Sequence, residues 1–96
     1  YTTIGSNCVI KDGCRIRSSY IFNDVTIGSN CNTSGTVLDN NTVVGQNCSL
    51  ENGTVIGPRV HIGNNSTIHS NVKIWPDLTI KSGSIIKENL LNPDYG

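Results

Sequence analysis

An aliphatic residue returns about every six positions along the chain, at Ile4, Ile10, Ile16, Ile21 and Ile27, then after a polar Thr33 at Leu38, Val44, Leu50, Ile56, Ile62, Ile68, Ile74, Ile80 and Ile86. Two places before each lies a small or medium residue that shares its strand face: Cys8, Cys14, Ser19, Val25, Cys31, Thr36, Thr42, Cys48, Thr54, Val60, Ser66, Val72, Leu78 and Ser84. A six-residue unit holding a short strand must turn within what remains, and a left-handed backbone residue is the economical way to turn. Three places after the aliphatic residue stand Asn7, Gly13, Asp24, Asn30, Asn41, Asn47, Gly53, Arg59, Asn65, Asn71, Asp77, Gly83 and Asn89. Gly, Asn and Asp enter that conformation readily, and Arg59, after Pro58, is the one residue of the series whose chemistry does not fit.

Three units close one turn of a solenoid. Ile4, Ile21 and Leu38 are 17 apart, while Leu38, Ile56 and Ile74 are 18 apart. The two shortened units fall at one corner, before Ile21 and before Leu38, which argues for three flat faces. Face one stacks Ile4, Ile21, Leu38, Ile56 and Ile74; face two Ile10, Ile27, Val44, Ile62 and Ile80; face three Ile16, Thr33, Leu50, Ile68 and Ile86. About five turns at ~4.8 Å predict a prism roughly 24 Å long.

Composition agrees. Ile, Val and Thr number 29, Asn 13 and Gly 10, while Ala and Met are absent, so short strands and tight corners are favoured over helices. The chain has 96 residues, one small domain at most, and a formal net charge of zero, which leaves no basic field for nucleic acid. The apolar runs are too short to span a membrane, no basic-then-apolar leader opens the sequence, and a cytoplasmic location is expected.

The units Ile4-Gly5-Ser6-Asn7-Cys8-Val9, Ile27-Gly28-Ser29-Asn30-Cys31, Ile56-Gly57-Pro58-Arg59-Val60 and Ile62-Gly63-Asn64-Asn65-Ser66 resemble hexapeptide repeats, whose fold is the all-β left-handed parallel β-helix. The handedness is implied by that resemblance, because parallel crossovers in general favour the other hand. The phrase Ser18-Ser19-Tyr20-Ile21-Phe22-Asn23-Asp24-Val25-Thr26-Ile27-Gly28, followed by Thr36-Val37-Leu38-Asp39-Asn40-Asn41-Thr42-Val43-Val44-Gly45, is similar to the carboxy-terminal coil of sugar-1-phosphate nucleotidyltransferases. Val72-Lys73-Ile74-Trp75-Pro76 is similar to the end of that coil in mannose-1-phosphate guanylyltransferase-like proteins, and the early phrase is shared with initiation factor 2B gamma and epsilon subunits.

The resemblance implies an oligomerisation and regulatory module of an enzyme making nucleotide sugars, whose magnesium-dependent chemistry belongs to an amino-terminal domain. This chain carries no glycine-rich phosphate loop between strand and helix. It is therefore expected to hold no catalytic residue, metal or cofactor itself and to adjoin that domain, a second copy, or both. Residues 1–89 form the coil in this reading, and 90–96, with Leu90, Leu91 and Tyr95, a cap or tail.

Two other readings stand beside it. A hexapeptide acetyltransferase would use acetyl-coenzyme A and an outward histidine as general base, for which His61 is the candidate; His69 lies near a corner. An exchange-factor scaffold would be non-enzymatic. Cys14, Cys31 and Cys48 form an inward ladder on face three, read as small core fillers and reduced thiols, since paired Cys-x-x-Cys zinc spacing is absent. Acceptor triplets for glycosylation at Asn32, Asn40, Asn47, Asn52, Asn64 and Asn65 follow from corner Asn preceding small hydroxyl residues. The outward residues Tyr20, Val37 and Val55, with Phe22 and Trp75 at the adjoining corner, gather most of the aromatic residues on one strip, the expected interface with a second copy or a catalytic domain.

Overall fold

A computed structural model describes residues 2–89. The first coil holds β1 (Thr3–Ile4), β2 (Val9–Ile10) and β3 (Arg15–Arg17), the second β4 (Tyr20–Ile21), β5 (Thr26–Ile27) and β6 (Asn32–Ser34), and the third β7 (Val37–Leu38), β8 (Val43–Val44) and β9 (Ser49–Leu50). The fourth holds β10 (Val55–Ile56), β11 (His61–Ile62) and β12 (Thr67–Ile68), and the fifth β13 (Lys73–Ile74), β14 (Thr79–Ile80) and β15 (Ile85–Ile86). Every third strand pairs in parallel, giving three five-stranded sheets: β1-β4-β7-β10-β13, β2-β5-β8-β11-β14 and β3-β6-β9-β12-β15. Ile4 pairs Ile21, Ile21 pairs Leu38, Leu38 pairs Ile56 and Ile56 pairs Ile74, and the other two sheets keep the same alignment of their aliphatic columns. The molecule is a left-handed parallel β-helix of five triangular coils.

The hollow axis is filled as the periodicity requires. From Ile21 onward each inward aliphatic of all three sheets is buried, and so are the small residues two places before them as far as Leu78. The first coil is more open, with Ile4 48% exposed and Cys8, Ile10, Cys14 and Ile16 only partly buried. Thr33, the polar break in its column, is buried too, and its Oγ1 is the one buried side-chain polar atom without a partner among the described residues.

Twelve of the thirteen expected corner residues have positive φ, Arg59 included at 59°. Arg59 thus adopts the left-handed turn although its side chain does not favour it. Asn89 does not share the conformation. Its Oδ1 instead accepts a hydrogen bond from the Lys73 backbone N–H at 2.8 Å. At the two shortened corners the turn is made by Ser18, φ 47°, and Gly35, φ 60°, two places after the inward residue instead of three. Removing one residue moves the left-handed position one step closer to its strand.

Backbone polarity is uniform. Strand N–H groups donate to the next coil, as Thr3 N to Ser19 O and Tyr20 N to Thr36 O, whereas left-handed corner residues donate back to the previous one, as Asp24 N to Ser6 O. The expected cap of Leu90, Leu91 and Tyr95 lies outside the described residues.

Candidate functional site

The residues on either side of an inward aliphatic point outward, so the exterior of the first sheet consists of two columns. Thr3, Tyr20, Val37, Val55 and Lys73 form one, by strand register. Gly5, Phe22, Asp39, Gly57 and Trp75 follow the aliphatic residues and form the other. All five side chains singled out from sequence therefore share one face. Tyr20, Phe22, Val55 and Trp75 are exposed at 44%, 45%, 39% and 55%, and Val37 is half-buried between its neighbours. They do not form one unbroken patch: Asp39 and Gly57 separate Phe22 from Trp75 in the second column.

The corner beside this face carries a ladder that sequence reasoning missed. The Ser6 N–H donates to Asn23 Oδ1 at 2.8 Å, and the Asn23 N–H to Asn40 Oδ1 at 2.9 Å. The equivalent residues in coils four and five are Pro58 and Pro76, which offer no side-chain acceptor and need none, having no N–H. Asn40, left facing Pro58, turns its N–H to Asp39 Oδ1 at 2.7 Å. One step along, Arg59 forms a two-pronged pair with Asp77, Nε to Oδ1 at 2.5 Å and the second guanidinium nitrogen to Oδ2 at 3.1 Å. The hydrogen bonds and charge of Arg59 hold the Asp77 carboxyl below the usual carboxylate range.

His61 lies on the exterior of the second sheet, between Val43 and Thr79. A shallow cleft of about 360 Å³ opens on the same sheet, lined by Lys11, Thr26, Gly28, Ser29, Val43, Val44, Gly45, Gln46 and Asn64. Gly28 and Gly45 are among its lining residues, and the coils approach so closely there that a Cβ on Gly28 would come within 2.7 Å of Gln46 N and 2.8 Å of Gly45 C. His61 does not line that cleft. His69 Nδ1 is 3.5 Å from Glu51 Oε1, to which Ser70 Oγ donates at 3.4 Å.

The cysteines do more than fill space. Cys8, Cys14, Cys31 and Cys48 direct their thiols to the carbonyl oxygens of Phe22, Gly28, Gly45 and Gly63 at 2.9, 3.0, 2.8 and 3.1 Å. Each acceptor belongs to the residue just after an inward aliphatic, one coil on, where the bend turns the carbonyl into the core. Thr42, Thr54 and Ser66 do the same for Gly57, His69 and Lys81. The inward column thus alternates oil with single donors, and Ser, Thr and Cys are interchangeable in that role. The Cys48 sulfur beside it and burial together push the Cys31 thiol up, keeping it a donor. None of the four cysteines is bonded to another. Among the described residues no group of three His, Cys, Asp or Glu is placed to hold a metal ion, and no helix is long and apolar enough to cross a membrane.

Solved structures with this winding include the acetyltransferase domain of PglB from Neisseria gonorrhoeae, at 17% identity and a TM-score of 0.92 over 96% of this chain and 46% of that one. The same domain in complex with acetyl coenzyme A matches at 12% identity and a TM-score of 0.57, over 91% and 49% of the two chains. A hexapeptide-repeat acetyltransferase from Vibrio cholerae matches at 12% identity and a TM-score of 0.60, over 86% and 66%. At such identities the likeness is one of fold, and the chain spans about half the length of the Neisseria domain. No curated protein matches significantly. The model of the EIF2B subunit epsilon LbH domain matches residues 1–68. With the corner residues, the three in-register sheets and that match across most of its length, the chain belongs to the EIF2B epsilon LbH family of hexapeptide-repeat left-handed β-helices.

Proposed function

We propose that this chain is a non-catalytic assembly module, a stiff coil that holds protein surfaces together through the exterior of its first sheet. The observation that carries the reading is the concentration of Tyr20, Phe22, Val55 and Trp75, four of the seven exposed large hydrophobics among the described residues, on that one face. Exposed apolar area of this kind is retained where it will be covered. The family match supports a parent of the exchange-factor kind, and the resemblance of residues 18–45 extends the group to sugar-1-phosphate nucleotidyltransferases. Within that group, the phrase from Val72 to Pro76 favours guanylyl transfer to mannose 1-phosphate, with magnesium and catalysis supplied by a separate domain. The test is an assay of the isolated chain for nucleotide-sugar formation, acetyl transfer and coenzyme A binding. None is expected, and any one of them overturns the reading.

A second reading, acetyl transfer with His61 as base, draws on the cleft between Lys11 and Asn64 and on the acetyl coenzyme A complex of the Neisseria domain. It predicts saturable coenzyme A binding that Gly45→Trp abolishes, together with acetyl transfer that His61→Ala abolishes.

A further inference from the structure

From the second coil to the fifth, the exterior of the first sheet reads Tyr20, Val37, Val55, Lys73 along one column and Phe22, Asp39, Gly57, Trp75 along the other. We infer that this face pairs with the same face of a second copy, the two solenoids running antiparallel about a two-fold axis that lies along the strands between the third and fourth coils. The inference rests on the assembly reading and names its occupant. Such an axis keeps position along a strand and reverses position along the solenoid, so the second coil meets the fifth and the third meets the fourth.

Under that operation the two columns are their own complements. Val37 meets Val55 of the second copy, and Val55 meets its Val37. Phe22 meets Trp75 of the second copy, aromatic on aromatic, at both ends of the face. Lys73 meets Tyr20 of the second copy, placing an ammonium over an aromatic ring. Asp39 meets Gly57, which has no side chain to oppose its carboxylate, and Asp39 Oδ1 already accepts the Asn40 N–H.

The other two-fold axis available to facing sheets lies along the solenoid. It keeps every coil opposite itself, so Phe22 of the second coil and Trp75 of the fifth no longer meet, and Val37 no longer meets Val55. Size agrees with a modest dimer. The four facing strands at ~4.8 Å span about 19 Å along the axis, and the cross-section is 20 × 19 Å. Two such faces together cover on the order of 800 Å², short of a standard interface, which suits weak self-association in the high-micromolar range.

Charge exchange across the two-fold tests it. Sedimentation of the wild-type chain from 1 to 500 µM is expected to show a monomer–dimer equilibrium. Val37→Glu alone and Val55→Lys alone are each expected to weaken dimers at least tenfold, because each places two charges against a valine. An equimolar mixture of the two variants is expected to recover heterodimers, Glu opposite Lys, at least tenfold tighter than either alone. A wild-type chain that stays monomeric throughout, or a mixture that behaves as the sum of its parts, overturns the pairing. Cross-linking by mixed Phe22→Cys and Trp75→Cys chains, beyond that of either alone, supports the antiparallel sense; its absence where dimers form overturns it. Failure here leaves the assembly reading intact, since that reading falls only to transferase activity or coenzyme A binding.

Discussion

At the scale of single residues, the fold depends on which side chains sit where the backbone turns left. Ser18, at φ 47°, has neither the missing Cβ of glycine nor the amide of asparagine to ease that turn. Ser18→Gly removes a conformational cost of ~1–2 kcal/mol and adds back ~0.5–1 kcal/mol of glycine entropy. The expected outcome is a melting temperature higher by a few degrees. Gly35 occupies the equivalent place one coil later, and a Cβ there would strike the Asn52 amide, so Gly35→Ala is expected to lower the melting temperature. Equal responses of the two sites in thermal melts would refute the equivalence.

The Arg59–Asp77 pair makes a second residue-scale prediction. A folded-state carboxyl pKa below its unfolded value contributes stability above the unfolded pKa and loses it as pH falls through the folded one. Acid denaturation of wild type should therefore steepen below about pH 4 relative to Asp77→Asn, a small difference because both side chains are more than half exposed.

At the scale of the repeating unit, the inward donor explains why the small residues of the core are so often Ser, Thr or Cys. Cys31→Ser keeps a donor for Gly45 O and should leave stability nearly unchanged. Cys31→Val preserves volume but strands a buried carbonyl, a loss of about 1–3 kcal/mol in chemical denaturation. If both variants unfold alike, the thiol hydrogen bond is of no consequence. Gly28 supplies the complementary case: Gly28→Ala drives a methyl group into backbone of the next coil and should cost roughly 1–3 kcal/mol.

These elements also show how far sequence reasoning reaches. The six-residue spacing of Ile, Leu and Val led directly to the observed register in all three sheets, because one-residue slips would turn every column to water. The same periodicity placed Tyr20, Val37 and Val55 on one exterior column and Phe22 and Trp75 at the adjoining corner. Ser18 escaped notice because a fixed offset of three was carried through corners that are one residue shorter. The Asn23–Asn40 ladder, the prolines that end it, and the thiol-to-carbonyl bonds escaped because they join residues 14 to 18 positions apart through side-chain geometry that composition does not encode. Arg59 was legible as an exception but not as a left-handed residue, since the Asp77 pair across the coil is visible only in three dimensions.

At the scale of the whole molecule, nearly every stabilising contact joins neighbouring coils, so cooperativity travels along the axis like a chain of nearest neighbours. Disturbance should therefore be graded by position. In hydrogen exchange, amides of the first coil, where Ile4 is half exposed, are expected to exchange at least tenfold faster than those of the third and fourth, around fully buried Leu38 and Ile56. Uniform protection throughout would mean that the coil unfolds as one block.

The uniform direction of the strand hydrogen bonds carries a final consequence. Each winding gives N–H groups to its successor and takes them from its predecessor, with the corners running the opposite way. Any winding can therefore serve as template for any other, whereas a fragment of one mates with nothing. Lineages of such proteins should grow and shrink by duplication or loss of 17 or 18 residues at a time, and a gain of any other length must be thrown out as a loop at a vertex of the triangle.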